Sequence, residues 1–332
     1  MATEKLPHRK LGAGGLTVSA IGLGGMSLSG VYGAADDAAS EDLIRSAIDV
    51  GVDHVDSSDM YGWGHNEELV GRAIAGRRSR YVVATKFGNI RKPDGTPSAD
   101  GRPDYVARAC DASLKRLGIE TIDLYFIHRV DNTVPIEDTV GAMVRLKEAG
   151  KIRHLGISEA ASATIRRAHA VHPMTALQTE YSLWTREVES EILGLCQTLG
   201  IGFVAYSPLG RGFLTGLVGA GDSLPAGDAR RNMPRFQGDN ARHNGELVAA
   251  LKRLAAAEKC TPAQLAIAWV LSRDRTIVPI AGTSRVRWIE ENAAAVSQSI
   301  SAKTRDELDR VFKTGAAAGA RYPEALLRRV GL

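Results

Sequence analysis

Eight short apolar segments, each followed by a helix-like stretch, constrain this chain more than any other feature. They centre near residues 21, 55, 83, 125, 155, 177, 204 and 278, as in His54-Val55-Asp56 and Leu124-Tyr125-Phe126-Ile127. Short runs embedded between helices suit the strands of a parallel sheet that is covered on its outer face. Eight such strands either close into a barrel or lie open as a doubly wound sheet. The dinucleotide-binding open form needs G-x-G-x-x-G at its first turn, and Gly22-Leu23-Gly24-Gly25 misses the third glycine. We therefore expect an α/β fold of the (β/α)8 TIM-barrel type, with an N-terminal β-hairpin and extra C-terminal helices. No linker divides the sequence, so residues 1–332 are expected to form one domain.

Start and stop signals place the helices. Ser40-Glu41-Asp42 reads as a cap, and a helix is expected over about 66–75. Others begin at Pro103 and end near Gly118, begin at Pro135 and stop by Gly150, or cover about 162–171 and 187–199. The Gly12-Ala13-Gly14-Gly15 turn sets a hairpin within Lys10–Gly24. Between Gly210 and Asn244 the alternation fails, and glycine, proline, aspartate and arginine predict a long, partly mobile loop. Helices resume at about 246–258 and, after Thr261-Pro262, to Ser272; Thr304–Phe312 reads as an added helix.

Charge and cysteine usage narrow the function classes. The net charge of +4 is a small surplus spread along the chain, and its basic pairs lack interleaved aromatics, which disfavours nucleic acid as a partner. Three cysteines, Cys110, Cys196 and Cys260, have no metal-like spacing and read as reduced thiols. The stretch MATEKLPHRK has no apolar leader, and no run reaches the ~18 residues of a membrane span. A cytoplasmic protein is expected, with no membrane partner; nothing marks an oligomer interface.

In a closed barrel, catalytic groups project from the C-terminal ends of the strands. Asp56, Lys86 and His128 end the second, third and fourth strands, and Tyr61 follows Asp56 by five residues. Singly, each has an ordinary reading: a turn aspartate, a solvated lysine, a turn tyrosine, a core histidine. Together they form a proton-delivery set. A phenol titrates near 10, and an adjacent ammonium would lower that value. Asp56 would hold the lysine, and His128 would polarise a carbonyl or relay its proton. A carbonyl that accepts hydride needs such a donor, because an alkoxide forms.

These motifs resemble the aldo-keto reductase family over nearly the whole chain. HVDSSDMYGWGHNEELVG is similar to its Asp-to-Tyr segment, VVATKFG to its lysine strand and DLYFIHRVD to its histidine strand. HLGISEA, LQTEYSLWTRE and VAYSPLGRGFLTG resemble the branch holding auxin-induced-protein-like, pyridoxal and perakine reductases. The resemblance implies Asp56, Tyr61, Lys86 and His128 as catalytic residues, Tyr61 being the general acid. It further implies NADPH, with NADH the weaker fit, laid across the barrel mouth, and a small carbonyl compound as substrate.

By the same resemblance, Tyr206 would stack on the nicotinamide, Ser158 and Gln178 would bind its carboxamide, and Gly25 and Met26 would lie near the ring. Glu159 stands where many members carry Asn. Ser207, Pro208, Leu209 and Arg211 match the pyrophosphate loop. Gly282, Thr283, Ser284, Arg285 and Arg287 match the adenosine-phosphate segment, with Glu291 and Asn292 near the adenine. Ser284 replaces a common cation there. Trp63, Trp184 and Phe236 are candidates to line the substrate pocket. Two other readings stand beside this one: an NADP(H)-binding regulatory or sensor subunit, and a metal-dependent hydrolase using His54 and Asp56, for which no second ligand pair is evident and no metal is expected.

Overall fold

A computed structural model describes residues 6–332; the first five residues of the stretch read as leader-free lie outside it. The chain opens with an antiparallel hairpin, β1 (His8–Leu11) and β2 (Leu16–Ser19). Eight parallel strands follow: β3 (Gly22–Gly24), β4 (His54–Asp56), β5 (Val82–Phe87), β8 (Ile122–Ile127), β9 (Ile152–Ser158), β10 (Ala176–Glu180), β11 (Gly202–Tyr206) and β12 (Ile277–Gly282). They close into a barrel in that order, with β12 pairing back onto β3 through Ile280 and Gly22. All eight lie where the alternation predicts them.

Helices α1 (Asp37–Asp49), α2 (His65–Ile74), α3 (Pro103–Leu117), α4 (Ile136–Glu148), α5 (Ser162–Val171) and α6 (Ile192–Leu199) separate the first seven barrel strands. Local chemistry sets their ends. Pro103 occupies the first turn of α3 and Gly118 closes it in the left-handed region, which glycine adopts without strain. Thr261 and Gln264 form a reciprocal capping box at the start of α8 (Pro262–Arg273). The last helices are α9 (Val286–Ala294), α10 (Ala302–Val311) and α11 (Glu324–Leu327).

Two apolar layers hold the barrel. The outer one lies between strands and helices and includes Val55, Val83, Tyr125, Leu155, Leu177 and Phe203. The inner one fills the barrel with Ala84, Leu124, Phe126, Val204, Val278 and Ile280, and the hairpin adds Leu11 and Val18 beneath it. Gly156 makes room for the Phe126 ring, since a Cβ there would lie 2.3 Å from its nearest carbon. With interior and floor packed, only the C-terminal end of the barrel is free to carry a site.

The structure corrects the expected loops and boundaries. The 210–244 segment is built from short 3-10 turns, and α7 (Gly238–Ala257) starts well before residue 246. Tertiary contacts supply what periodicity lacks: Asn244 is buried, donates to the Arg235 and Ala318 carbonyls and accepts from the Ala318 amide. The expected 187–199 helix breaks at Glu191, and α1 begins earlier than expected, capped by Asp36. A second hairpin, β6 (Asn89–Arg91) and β7 (Pro97–Ala99), occupies an insertion whose fold the sequence did not disclose.

Candidate active site

The register of β4, β5 and β8 brings three side chains to one end of the barrel. Asp56 pairs with Ala84, Lys86 pairs with Phe126, and His128 follows the last residue of β8. Tyr61 arrives from a turn instead. Gly62, Trp63 and Gly64 have φ of 58°, 53° and 102°, three consecutive left-handed residues that reverse the chain. Asn66 anchors this turn by accepting from the Ser57 hydroxyl at 2.7 Å and donating to the Gly25 carbonyl at 2.9 Å.

Lys86 is fully buried, an expensive position for an ammonium unless its donors are met. All three are. It donates to the Asp56 carboxylate, to the Ser57 carbonyl at 2.7 Å and to the Tyr61 hydroxyl at 3.3 Å. Gln178 donates to the other Asp56 oxygen at 2.8 Å. The rings of His128 and Tyr61 meet edge-on with centroids 5.8 Å apart. The four side chains named from the sequence thus form one cluster.

Burial and neighbours set their protonation. Burial depresses the Lys86 ammonium, but Asp56 and then Tyr61 more than restore it, so it stays charged. Burial raises the Tyr61 phenol, and Lys86 only partly opposes that rise. The expected lowering of Tyr61 is therefore reversed here, because loss of solvent outweighs one cation. His128 falls well below its ordinary value through burial and the positive charges of Arg129, Lys86 and Arg329. At neutral pH the cluster holds a neutral phenol and a neutral imidazole. His128 Nδ1 shares a hydrogen bond with Ser58 Oγ at 2.9 Å. His54, one layer below Asp56, is fully buried with both ring nitrogens unpartnered. Among the described residues no group of three metal-ligand side chains surrounds it.

A cavity of about 1150 Å³ spreads from this cluster across the barrel mouth. Asp56, Tyr61 and His128 line it, together with Gly25, Met26, Ser158, Gln178, Tyr206, Ser207, Pro208, Leu209, Arg211, Gly282, Thr283, Ser284, Glu291 and Asn292. Arg285 and Arg287 do not line it. Both are exposed at its rim, and Arg287 lies 4.2 Å over the Trp288 ring. Trp63 lines the cavity. Trp184 and Phe236 do not: they are buried against Phe213, with centroids 5.2 Å from it, so their expected pocket role is corrected to core packing.

Glu159 explains its own departure from the family pattern. Arg321 grips its two carboxylate oxygens at 2.7 and 2.5 Å, and the Tyr206 hydroxyl donates to it at 2.8 Å. Arg321 belongs to the last twenty residues, which cross the mouth and deliver Tyr322, Leu326 and Arg329 to the cavity. The Tyr206 and Tyr322 hydroxyls are 2.8 Å apart, and the Gly331 amide donates to the Glu159 carbonyl at 2.8 Å. Sequence reading missed this strap, because a segment without periodicity gives no sign of where it packs. It also passed over Arg129, although that residue directly follows His128.

A closed eight-stranded barrel with a buried carboxylate-ammonium pair under a phenol defines an oxidoreductase-type site. Comparison with known proteins narrows the class. The aldo/keto reductase family model matches residues 20–313. An aldo-keto reductase of Schizosaccharomyces pombe, whose name specifies NADP(+), is 45% identical over 96% of this chain and 95% of its own. A probable aldo-keto reductase of Glycine max is 43% identical over 98% of this chain and 94% of its own. The chain belongs to the aldo/keto reductase family. Among solved structures, the glycerol dehydrogenase of Gluconobacter oxydans aligns with a TM-score of 0.84 at 27% identity, over 97% of this chain and 98% of the other. An aldo/keto reductase of Klebsiella pneumoniae in complex with NADP and acetate aligns with a TM-score of 0.73 at 27% identity, over 96% and 99%. Among the described residues no helix is long and apolar enough to cross a membrane.

Proposed function

We propose that this protein reduces aldehydes or ketones to alcohols with NADPH, with Tyr61 as the proton donor and residues 1–332 acting as one domain. The observation that carries the reading is the buried Lys86 reaching Tyr61 at 3.3 Å while Asp56 neutralises it. A neutral phenol beside a fixed ammonium can give up a proton at the moment an alkoxide forms, because the cation then stabilises the phenolate left behind. Lys86 and Asp56 act on that proton through Tyr61. His128, neutral and bound at Nδ1 to Ser58, suits an N–H donor to the carbonyl oxygen rather than an imidazolium acid.

The cavity residues fit a nicotinamide dinucleotide. Gln178 spends its NH2 on Asp56, so its carbonyl oxygen is available to a carboxamide. Ser158 keeps its hydroxyl proton, since its oxygen only accepts from Arg129 at 3.4 Å. Gly25 cannot carry a side chain: a Cβ there would lie 2.7 Å from Asn66 Oδ1. The glycine lets the backbone at the cavity wall pack directly against Asn66 and the Asp56 carbonyl. Arg211, and Thr283 and Ser284 just ahead of α9, would meet phosphates, where a helix N-terminus adds favourable dipole. The exposed Arg285 and Arg287 suit a 2′-phosphate at the rim, which together with the relatives' names supports NADPH. The bound cofactor supplies hydride to the carbonyl carbon; everything else is done by the side chains. The free thiols of Cys110, Cys196 and Cys260 fit a cytoplasmic setting.

Steady-state loss of NADPH absorbance with a panel of aldehydes and ketones tests the proposal. Oxidation that requires the carbonyl compound supports it. Tight NADPH binding with no turnover across the panel contradicts it and favours a sensor subunit.

A further inference from the structure

The cavity is lopsided in charge. The features fitted to phosphates lie at the ends of β11 and β12, and the end of β8 lies opposite them across the closed barrel. On that β8 side the cavity is lined by His128, Arg129, Asn89, Leu326 and Arg329, and Tyr322 reaches from the strap towards Tyr206 at the end of β11. Arg129 follows β8 directly, and Arg329 is brought over by the C-terminal strap. The acidic residues lining the whole cavity are Asp36, Asp56 and Glu291. Asp56 is held by Lys86, and Glu291 accepts from Thr261 near α9. Neither arginine has a carboxylate within ion-pair distance among the described residues.

Their hydrogen bonds go to neutral acceptors instead. Arg129 donates to the His128 carbonyl at 2.7 Å and to Ser158 Oγ at 3.4 Å. Arg329 donates to Asn89 Oδ1 and to the Ser98 carbonyl, both at 2.6 Å. The charged or chargeable groups that attract Arg129 are Tyr206, Tyr322, Glu159 and Tyr61. The one carboxylate among them, Glu159, is already neutralised by Arg321. Burial first, and repulsion from Arg129 second, depress Arg329, so the two guanidinium groups feel each other. Two half-buried guanidinium groups beside His128 and Tyr61, neither with a carboxylate of its own, are placed to take an anionic ligand as partner.

We propose that Arg129 and Arg329 form a carboxylate-binding subsite, making carbonyl compounds that bear a carboxylate this protein's preferred substrates. The guanidinium fork matches a carboxylate with two parallel hydrogen bonds, and charge-assisted bonds of this kind are about twice as strong as neutral ones. Tyr322 and Leu326 give the body of such a substrate an apolar wall. The inference rests on the reductase reading above and deepens it by naming the substrate class.

The test compares para- and meta-carboxybenzaldehyde with their methyl esters, following NADPH oxidation. The acid of at least one isomer is expected to exceed its ester in kcat/KM by about tenfold or more, one charged pair being worth that much. That advantage should shrink as ionic strength rises from about 0.01 to about 1 M, where the Debye length contracts from about 30 to about 3 Å. Arg329→Gln keeps an N–H donor for Asn89 and Ser98 but removes the charge, and should bring the acid-to-ester ratio towards one. Wild-type ratios at or below one for both isomers, with the esters reduced normally, overturn the carboxylate subsite and leave the reductase reading intact. No turnover of acid or ester while other aldehydes of the panel are reduced also overturns the subsite alone; no turnover across the whole panel overturns both. Should the variant fail to fold, the salt dependence of the wild-type ratio still decides.

Discussion

The two sides of the barrel mouth are built differently. On the β4–β5–β8 side, Asp56, Lys86 and His128 are buried at strand ends; Lys86 has all its donors met by Asp56, Ser57 and Tyr61, and His128 is tied to Ser58. On the β12–α9 side, Ser284, Arg285 and Arg287 are exposed, and the two arginines stand clear of the cavity. The first side is set before any ligand arrives. The second offers charge that water and salt can screen. Chemistry that depends on position belongs on the rigid side, whereas recognition of a solvent-facing phosphate tolerates the looser one.

Substitutions on the rigid side should have the largest effects. Tyr61→Phe removes the proposed donor and should lower kcat by roughly 10²–10⁴-fold while NADPH affinity, measured by fluorescence titration, stays close to wild type. A kcat within a few-fold of wild type would break the contrast, since position on the rigid side would then not matter. Lys86→Met should reduce kcat and also leave Asp56 buried without its cation. Removing one partner of a buried pair costs about 3–5 kcal/mol, so a clear loss in denaturant unfolding is expected alongside. Unchanged stability would mean that the pair is not as dry as its burial implies.

The strap across the mouth sharpens the contrast, since it is a loop fixed by buried charges. Burial pushes the Glu159 carboxyl up, but Arg321 pulls it further down, and it rests below the usual glutamate value. A group held down on folding stabilises the protein above its unfolded pKa and loses that contribution as pH falls through the lower folded one. The strap should therefore hold above about pH 4 and loosen below it. Glu159→Gln should make residues 313–332 more sensitive to proteolysis at neutral pH, with a stability loss of up to about 3 kcal/mol. A strap as resistant as in the wild type would remove Glu159 from this role.

The smallest effect is expected at the exposed rim. Replacing Arg285 and Arg287 together by alanine should weaken NADPH by about tenfold, weaken NADH much less, and do so chiefly at low salt. Equal losses for both cofactors would detach these arginines from the 2′-phosphate.

The rigid side is also the side that was legible in the sequence. A short apolar strand fixes where it ends, so a polar residue after Val55, Thr85 or Ile127 has little freedom in where it points. Closure of the barrel was readable from eight strands together with the missing third glycine at Gly22-Leu23-Gly24-Gly25, and with it the meeting of Asp56, Lys86 and His128. Tyr61 was readable because it lies only five positions after Asp56, two of its next three followers being glycine. Trp184 and Phe236 misled because a large aromatic in a loop reads alike whether it lines a pocket or packs a core. The strap and Arg329 gave no signal: they join residues far apart in sequence, 116 positions for Tyr206 and Tyr322 and 162 for Glu159 and Arg321. The direction of the Tyr61 shift depended on burial, which a sequence alone does not supply.

The pH dependence of carbonyl reduction tests most directly whether Tyr61 delivers the proton. With a neutral phenol as the acid, kcat/KM should stay level through neutral pH and decline only on the alkaline side. In Lys86→Met, assayed at raised enzyme concentration, that decline should move to higher pH, because the phenol has lost the cation that opposes its rise. A decline in the histidine range, at the same pH in both proteins, would assign the proton to another group and contradict the account.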